Sequence, residues 1–158
     1  MTIEDKTAVV SAVPFVQRRR VQWGETDPAG FVYTPRFLDY AVEAVEGWFS
    51  ATVGYDWFRL NRERGIGSPM AHASLDFLKP LFPAEDFTLT VLVEAIGRSS
   101  ITLQIAGRNA KGEHCFQAKL VAVLIDPTKL KSRTMPPEFR DKIEAYRQAC
   151  MTTHRARA

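Results

Sequence analysis

Residues 35–53 constrain this chain more than any other stretch. Their periodicity predicts a helix on which Phe37, Leu38, Ala41, Val42, Ala44, Val45, Trp48 and Phe49 cover most of the circumference. Only Asp39, Glu43, Glu46 and Ser50 form a polar stripe, spaced by four, three and four residues. A helix this apolar must be nearly enclosed by other elements. Pro35 suits its first turn, because its fixed φ is helical and its missing N–H is not needed there. Gly54 suits its end, where a left-handed residue closes the last turn.

The surrounding sequence supplies the enclosure. Residues 14–23 read as extended, with Val21 and Trp23 on one face and Arg20 and Gln22 on the other. A short second helix is predicted over 56–64, stopped by Gly65 and Gly67. Four strand patterns follow with no helix between them, at about 70–79, 87–96, 100–109 and 114–125. Phe87, Leu89, Val91, Val93 and Ala95 alternate with the more polar Thr88, Thr90 and Glu94. The same period runs through Ile101, Leu103 and Ile105. The breaks at Pro80 to Glu85, Gly97-Arg98 and Lys111-Gly112 are short, and short links favour antiparallel neighbours. A last helix is expected over 137–148. The order strand, helix, four strands makes an α+β domain: one long helix against a five-stranded antiparallel sheet. At 158 residues the chain is one domain. We assign residues 1–12 to a loose arm, 13–150 to the domain and 151–158 to a flexible tail.

Composition excludes several classes. Apolar content of 46% and charged content of 25% are ordinary for a soluble globular chain. The net charge is +3, with its excess in Arg18-Arg19-Arg20, in Lys129 to Arg133 and in Arg155-Ala156-Arg157. These clusters read as solvated faces or as contacts for phosphate. They make neither a dense basic stripe nor a nucleic-acid-binding module, so no nucleic-acid partner is expected. No apolar run reaches the ~20 residues that span a bilayer, and Glu4, Asp5 and Lys6 do not suit a signal peptide. Cys115 and Cys150 are the two cysteines and set no disulfide framework, which fits a reducing, cytoplasmic setting.

The link into the long helix is Trp23-Gly24-Glu25-Thr26-Asp27-Pro28-Ala29-Gly30-Phe31-Val32-Tyr33-Thr34-Pro35. Pro28 and Gly30 suit a tight turn, which holds Asp27 on a shaped loop. The helix that follows begins with N–H groups that lack intrahelical partners and carry the positive end of its dipole. A carboxylate facing free N–H groups can serve acyl chemistry, one as nucleophile or base, the other for the developing oxyanion. The simpler reading is that Asp27 only caps a turn.

This stretch, continued by Arg36-Phe37-Leu38-Asp39-Tyr40, resembles the signature of the 4-hydroxybenzoyl-CoA thioesterase family of hotdog-fold proteins. The resemblance continues in order through Glu63-Arg64-Gly65-Ile66, Ser68-Pro69, Asp76-Phe77-Leu78-Lys79-Pro80-Leu81 and Gly97-Arg98-Ser99-Ser100, over residues 15 to 140. It implies a hotdog fold, with the sheet wrapped around the central helix, and hydrolysis of an acyl-CoA thioester, with an aromatic one such as a hydroxybenzoyl-CoA among the candidates, to free acid and CoA. It implies that Asp27 attacks the thioester carbonyl or activates the attacking water, and that the backbone N–H of Thr34 binds the oxyanion. The family member compared has tyrosine at that position, and a main-chain donor makes the side chain secondary. The resemblance also places Arg98, Ser99 and Ser100, with Lys131 and Arg133, near pantetheine and phosphates. It implies a homodimer at least, commonly a homotetramer, with sites at the subunit interface. A thioester has a good leaving group, so no cofactor or metal is required; coenzyme A enters only as part of substrate and product.

Other candidates rank lower. Glu43 and Glu46 could supply a helix carboxylate, as in a second clade of hotdog thioesterases, but read first as the polar stripe. His72 sits in a strand pattern, and His114 and His154 have no partner in the sequence. No His/Cys/Asp spacing fits a metal site, and no serine sits in a nucleophile elbow. Trp57 and Phe58 read as packing residues rather than an acyl pocket. Two rival functions stand beside the main one: an acyl-carrier-protein thioesterase, and a non-catalytic acyl-CoA-binding module on the same fold.

Overall fold

A computed structural model describes residues 13–156, with side chains to residue 153. The arm expected over 1–12 lies outside the described residues. The chain forms β1 (Phe15–Arg20), a 3₁₀ turn (Trp23–Glu25), α1 (Arg36–Val53), α2 (Trp57–Arg64), β2 (Met70–Phe77), β3 (Asp86–Ile96), β4 (Ser100–Asn109), β5 (His114–Val123), a small hairpin of β6 (Ile125–Asp126) and β7 (Lys131–Ser132), and α3 (Pro137–Ala156). The five long strands make one antiparallel sheet in the order β1-β3-β4-β5-β2. This is the α+β arrangement, and its sheet wraps α1 as a hotdog fold does.

The core lies between α1 and the inner face of the sheet. Tyr40, Ala41, Ala44, Val45, Trp48 and Phe49 on α1 are buried against Leu89, Val91, Leu103, Ile105, Ala118 and Leu120 on the strands. The period-two alternation places each of those strand residues inward. α3 closes one side. Its Tyr146 hydroxyl donates to Val91 O at 2.5 Å and accepts from Phe15 N at 2.9 Å, which ties the helix to two strands at once.

Four sequence expectations need correction. β1 ends at Arg20, so Trp23 leaves the core face and is 83% exposed in the 3₁₀ turn. α1 keeps a wider open stripe than its composition suggested, because Leu38 is exposed and Val42 only half-buried. α3 runs past residue 148 to Ala156. Its buried stripe Phe139, Ile143, Tyr146 continues at Cys150, and the Thr152 and Thr153 hydroxyls bond back to the carbonyls four residues earlier. The helical segment 151–156 therefore replaces most of the expected tail. Finally, the first N–H groups of α1 are not free. Those of Arg36, Phe37 and Leu38 donate to the carbonyls of Tyr33, Thr34 and Pro35 in a tightened first turn.

Candidate active site

The loop between β1 and α1 is closed by a short antiparallel ladder. Tyr33 N donates to Glu25 O at 2.9 Å, Thr26 and Val32 form a bridge, and Asp27 N donates to Phe31 O at 3.1 Å. Asp27 sits at the shoulder, where the chain turns back. Gly30 N donates to Asp27 O at 2.9 Å, and Gly30 takes φ 87°, a conformation that costs glycine little. Ala29 N donates to Asp27 Oδ1 at 2.8 Å. That one bond orients the half-buried carboxylate and leaves Oδ2 without a protein partner among the described residues.

Thr34 stands one residue beyond the base of this ladder. Because the next three N–H groups are paired, its own N–H is the donor left over at the start of α1; it has no acceptor among the described residues. Thr34 lines a cleft of about 300 Å³ with Phe31, Val32, Phe37, Phe77, Leu78, Lys79 and Pro80. Phe37 forms the floor, edge-on to Phe77 at 5.3 Å and to Phe116 at 5.0 Å. The cleft is apolar apart from Lys79, whose ammonium is 2.5 Å from Glu113. An apolar cleft lined by the residue with the free N–H suits an acyl group with its carbonyl at the rim, and the oriented carboxylate stands on the same loop.

A second set of bonds braces the loop from beneath. Glu25 accepts from Gln22 N and the Tyr40 hydroxyl, both at 2.8 Å, and pairs with Arg19 at 2.5 Å. Arg19 also pairs with Glu43, and its guanidinium lies 4.6 Å from the centre of the Tyr40 ring. Burial by itself would raise the Glu25 carboxyl pKa, but the Gln22 N–H, the Tyr40 hydroxyl and Arg19 outweigh it, and the group is held below its usual range. Burial, reinforced by the bond to Glu25, pushes the Tyr40 phenol upward. Glu43 is therefore tied to Arg19 rather than aimed at a free N–H. No sequence period connects Arg19, Glu25 and Tyr40, and their joint role was not legible there.

The remaining predicted residues gather elsewhere. Leu124 N donates to Ser99 O, Met135 N to Arg98 O and Arg133 N to Leu124 O, at 2.8, 2.9 and 2.8 Å. These bonds bring Arg98, Ser99, Ser100, Lys131 and Arg133 to one end of the sheet. Arg98 and Lys131 are exposed there. One Arg133 nitrogen is engaged with the carbonyls of Arg64 and Gly65 at the end of α2. Asp27 and Thr34 lie at the other end, since β3 begins at Asp86 opposite Arg20 and ends at Ile96 beside the Arg98 turn. Ten strand steps separate the two by roughly 30 Å. Within one chain, the structure does not bring the carboxylate and the basic turn together.

Elsewhere, Trp57 packs on Phe49 with ring centres 4.8 Å apart, while Phe58 is exposed. His72 is exposed on β2. Among the described residues no cluster of His, Cys, Asp and Glu could hold a metal ion, and no helix is long and apolar enough to cross a membrane.

Residues 21–143 match the model of the thioesterase-like superfamily. The chain belongs to that family. A 1,4-dihydroxy-2-naphthoyl-CoA hydrolase from Nostoc punctiforme is 27% identical over 149 residues, 91% of this chain and 96% of its own. A protein from Aquifex aeolicus described as a putative esterase is 30% identical over 70% of this chain and 92% of its own. The crystal structure of a thioesterase-superfamily protein from Jannaschia sp. superposes with a TM-score of 0.77 at 28% identity, covering 92% of this chain and 96% of the other. The thioesterase-like match spans the Asp27 loop, α1 and strands β2 to β5, most of the stretch over which the sequence resemblance runs.

Proposed function

We propose that this protein hydrolyses an acyl-CoA thioester, with an aromatic acyl group favoured, to the free acid and coenzyme A. The observations that carry the reading lie on one closed loop: an Asp27 carboxylate held through one oxygen with Oδ2 unpaired, and a Thr34 N–H without an acceptor among the described residues, on a residue that lines an apolar cleft. A family relative that covers nearly the whole chain is named as a hydrolase of an aromatic CoA thioester. In the reaction, Asp27 adds to the thioester carbonyl carbon, or removes a proton from the water that does. The carbonyl oxygen becomes an oxyanion and accepts from Thr34 N–H. Collapse breaks the C–S bond and CoA leaves as thiolate, to be protonated. Where Asp27 itself has added, water then cleaves the anhydride and restores the carboxylate. The thiolate is a good enough leaving group that the reaction calls for no metal or cofactor.

The working unit in this proposal is a homodimer, itself able to pair into a tetramer. β2 is an edge strand with most of its side chains exposed, and an unpaired edge is a liability unless covered. A two-fold axis that pairs β2 with its copy, antiparallel, buries both edges. It also turns the Met70 end of one strand, and with it the Arg98 and Lys131 cluster, toward the Phe77 end of the other, where Asp27 and Thr34 lie. That arrangement removes the separation of roughly 30 Å within one chain. Arg98 and Lys131 then bind CoA phosphates for the partner's carboxylate, Arg by its fork and Lys as a point charge. Cys115 and Cys150 are free thiols, in keeping with a reducing cytoplasm.

The test is release of thiol from a panel of CoA thioesters, aromatic and aliphatic, by wild type and Asp27→Asn. Asparagine keeps the size and removes the charge. We expect a fall of about 10²-fold or more in kcat with little change in Tm. Turnover by Asp27→Asn at the wild-type rate overturns the assignment, and a wild type inert on every thioester would favour a binding module.

A further inference from the structure

We propose that Glu25 is a positioning residue for the reaction: through Arg19 and Tyr40 it fixes the loop that carries both the Asp27 carboxylate and the Thr34 N–H. The inference rests on the roles given to Asp27 and Thr34 above.

Glu25 grips both sides of the loop, with its main chain and its side chain. Its main-chain carbonyl accepts from Tyr33 N, the residue before Thr34, at 2.9 Å. Its side chain reaches Tyr40 on α1 and Arg19 on β1. Tyr40 is fully buried, so the Glu25 carboxylate is anchored to a buried side chain of the helix. Asp27 lies two residues past this anchor on one arm of the ladder, and Thr34 one residue past Tyr33 on the other. Shifting Glu25 changes the spacing of the two arms, and a displacement of 1 Å in a reacting group can cost about 10²-fold in rate.

The composition of the network supports positioning over stability. Arg19 Nε is buried without a hydrogen-bond partner. Partly buried ion clusters with unsatisfied atoms are poor stabilisers, and an apolar set of similar volume does as well. What three charged residues and a tyrosine provide is direction. Each bond fixes the carboxylate along one axis, and together they leave it one orientation. Glutamine cannot replace it. Both oxygens of Glu25 accept, from Arg19 on one side and from Gln22 N and Tyr40 on the other, and an amide nitrogen at either place meets a donor.

The experiment is a double-mutant cycle between Glu25→Gln and Asp27→Asn in the full chain, with Tyr40→Phe as a milder second variant. The probe is 4-hydroxybenzoyl-CoA, or the panel thioester that wild type turns over fastest. Kinetics are read at a temperature where each variant is folded by circular dichroism. Glu25→Gln should lower kcat by about 10- to 100-fold with KM within about twofold, and Tyr40→Phe should lower it several-fold. Adding Glu25→Gln to Asp27→Asn should cost nothing further, because the positioned group is already gone. A purely structural residue, whatever its effect on Tm, would leave kcat of the folded fraction intact and give no such coupling. Wild-type kcat in folded Glu25→Gln, or losses that multiply in the double variant, overturn the proposal. Should Asp27→Asn alone keep full activity, the reading of the site fails instead, and the two failures are distinct.

Discussion

Gly107→Ala probes how the sheet supports the cleft. Gly107 on β4 faces Phe116 on β5 in register. An added Cβ would lie 2.1 Å from Phe116 Cε1, 2.4 Å from Cδ1 and 2.8 Å from Cζ. Carbon atoms rest at about 3.5–4.0 Å, so the ring must retreat by roughly 1.5 Å. It has nowhere to go: Phe116 is fully buried and stands edge-on to Phe37, which floors the cleft beside Thr34. Overpacking of this kind costs about 1–3 kcal/mol, and a blocked ring puts this site near ~3 kcal/mol. Alanine returns about 0.5–1 kcal/mol through the unfolded chain. The net loss is then about 2 kcal/mol, or a fall in Tm of about 4–8 °C for a domain of this size. Differential scanning calorimetry reads it directly. Gly24→Ala is the control, since nothing lies within 4 Å of its Cβ position. A Gly107→Ala protein that melts within 1 °C of wild type would refute the packing argument, whatever the control does.

Other expectations can be checked alongside. Arg98→Ala and Lys131→Ala should each raise KM for acyl-CoA by several-fold and leave kcat nearly unchanged, because the nucleotide end binds ground and transition states alike; steady-state assays should show the effect shrink with an acyl-pantetheine that lacks the phosphates. Glu25 should also carry a pH signature in stability. Its folded pKa is depressed, so its contribution is fully present above the ordinary carboxyl pKa of 4.5 and is lost as pH falls through the lower folded value. Urea unfolding should therefore show the stability gap between wild type and Glu25→Gln at its widest at neutral pH, closing below about pH 4.5; a gap that widens toward acid would contradict the assignment.

The sequence was informative where periodicity and burial coincide. α1 and the four strands after it were legible because their apolar residues recur at 3.6 and 2.0, and short links left few ways to order the sheet. Periodicity misled at Trp23, where three residues of extended pattern continued past the true end of β1. It also stopped short at α3, whose last turns mix Ala149, Met151, Thr152 and Thr153 without strong apolar spacing. In the site, Asp27 stood out because Pro28 and Gly30 mark a turn. The Thr34 N–H was named through the family resemblance, whereas the pairing of the three N–H groups after it in a tightened turn was not legible. The bracing by Arg19, Glu25 and Tyr40 is a contact of residues six and fifteen positions apart around the loop. Only the closed ladder brings them together.

The central claim is that each active site joins Asp27 of one chain to the basic turn of another. Mixing two impaired variants tests it most directly. Asp27→Asn and an Arg98→Ala/Ser99→Ala double variant are exchanged to equilibrium and assayed below the wild-type KM. Random exchange makes about half of the dimers mixed, each with one intact site of two, so shared sites predict recovery to about a quarter of wild-type activity. Activity that stays at the average of the two parents, with subunit exchange shown by native mass spectrometry, would contradict the shared site.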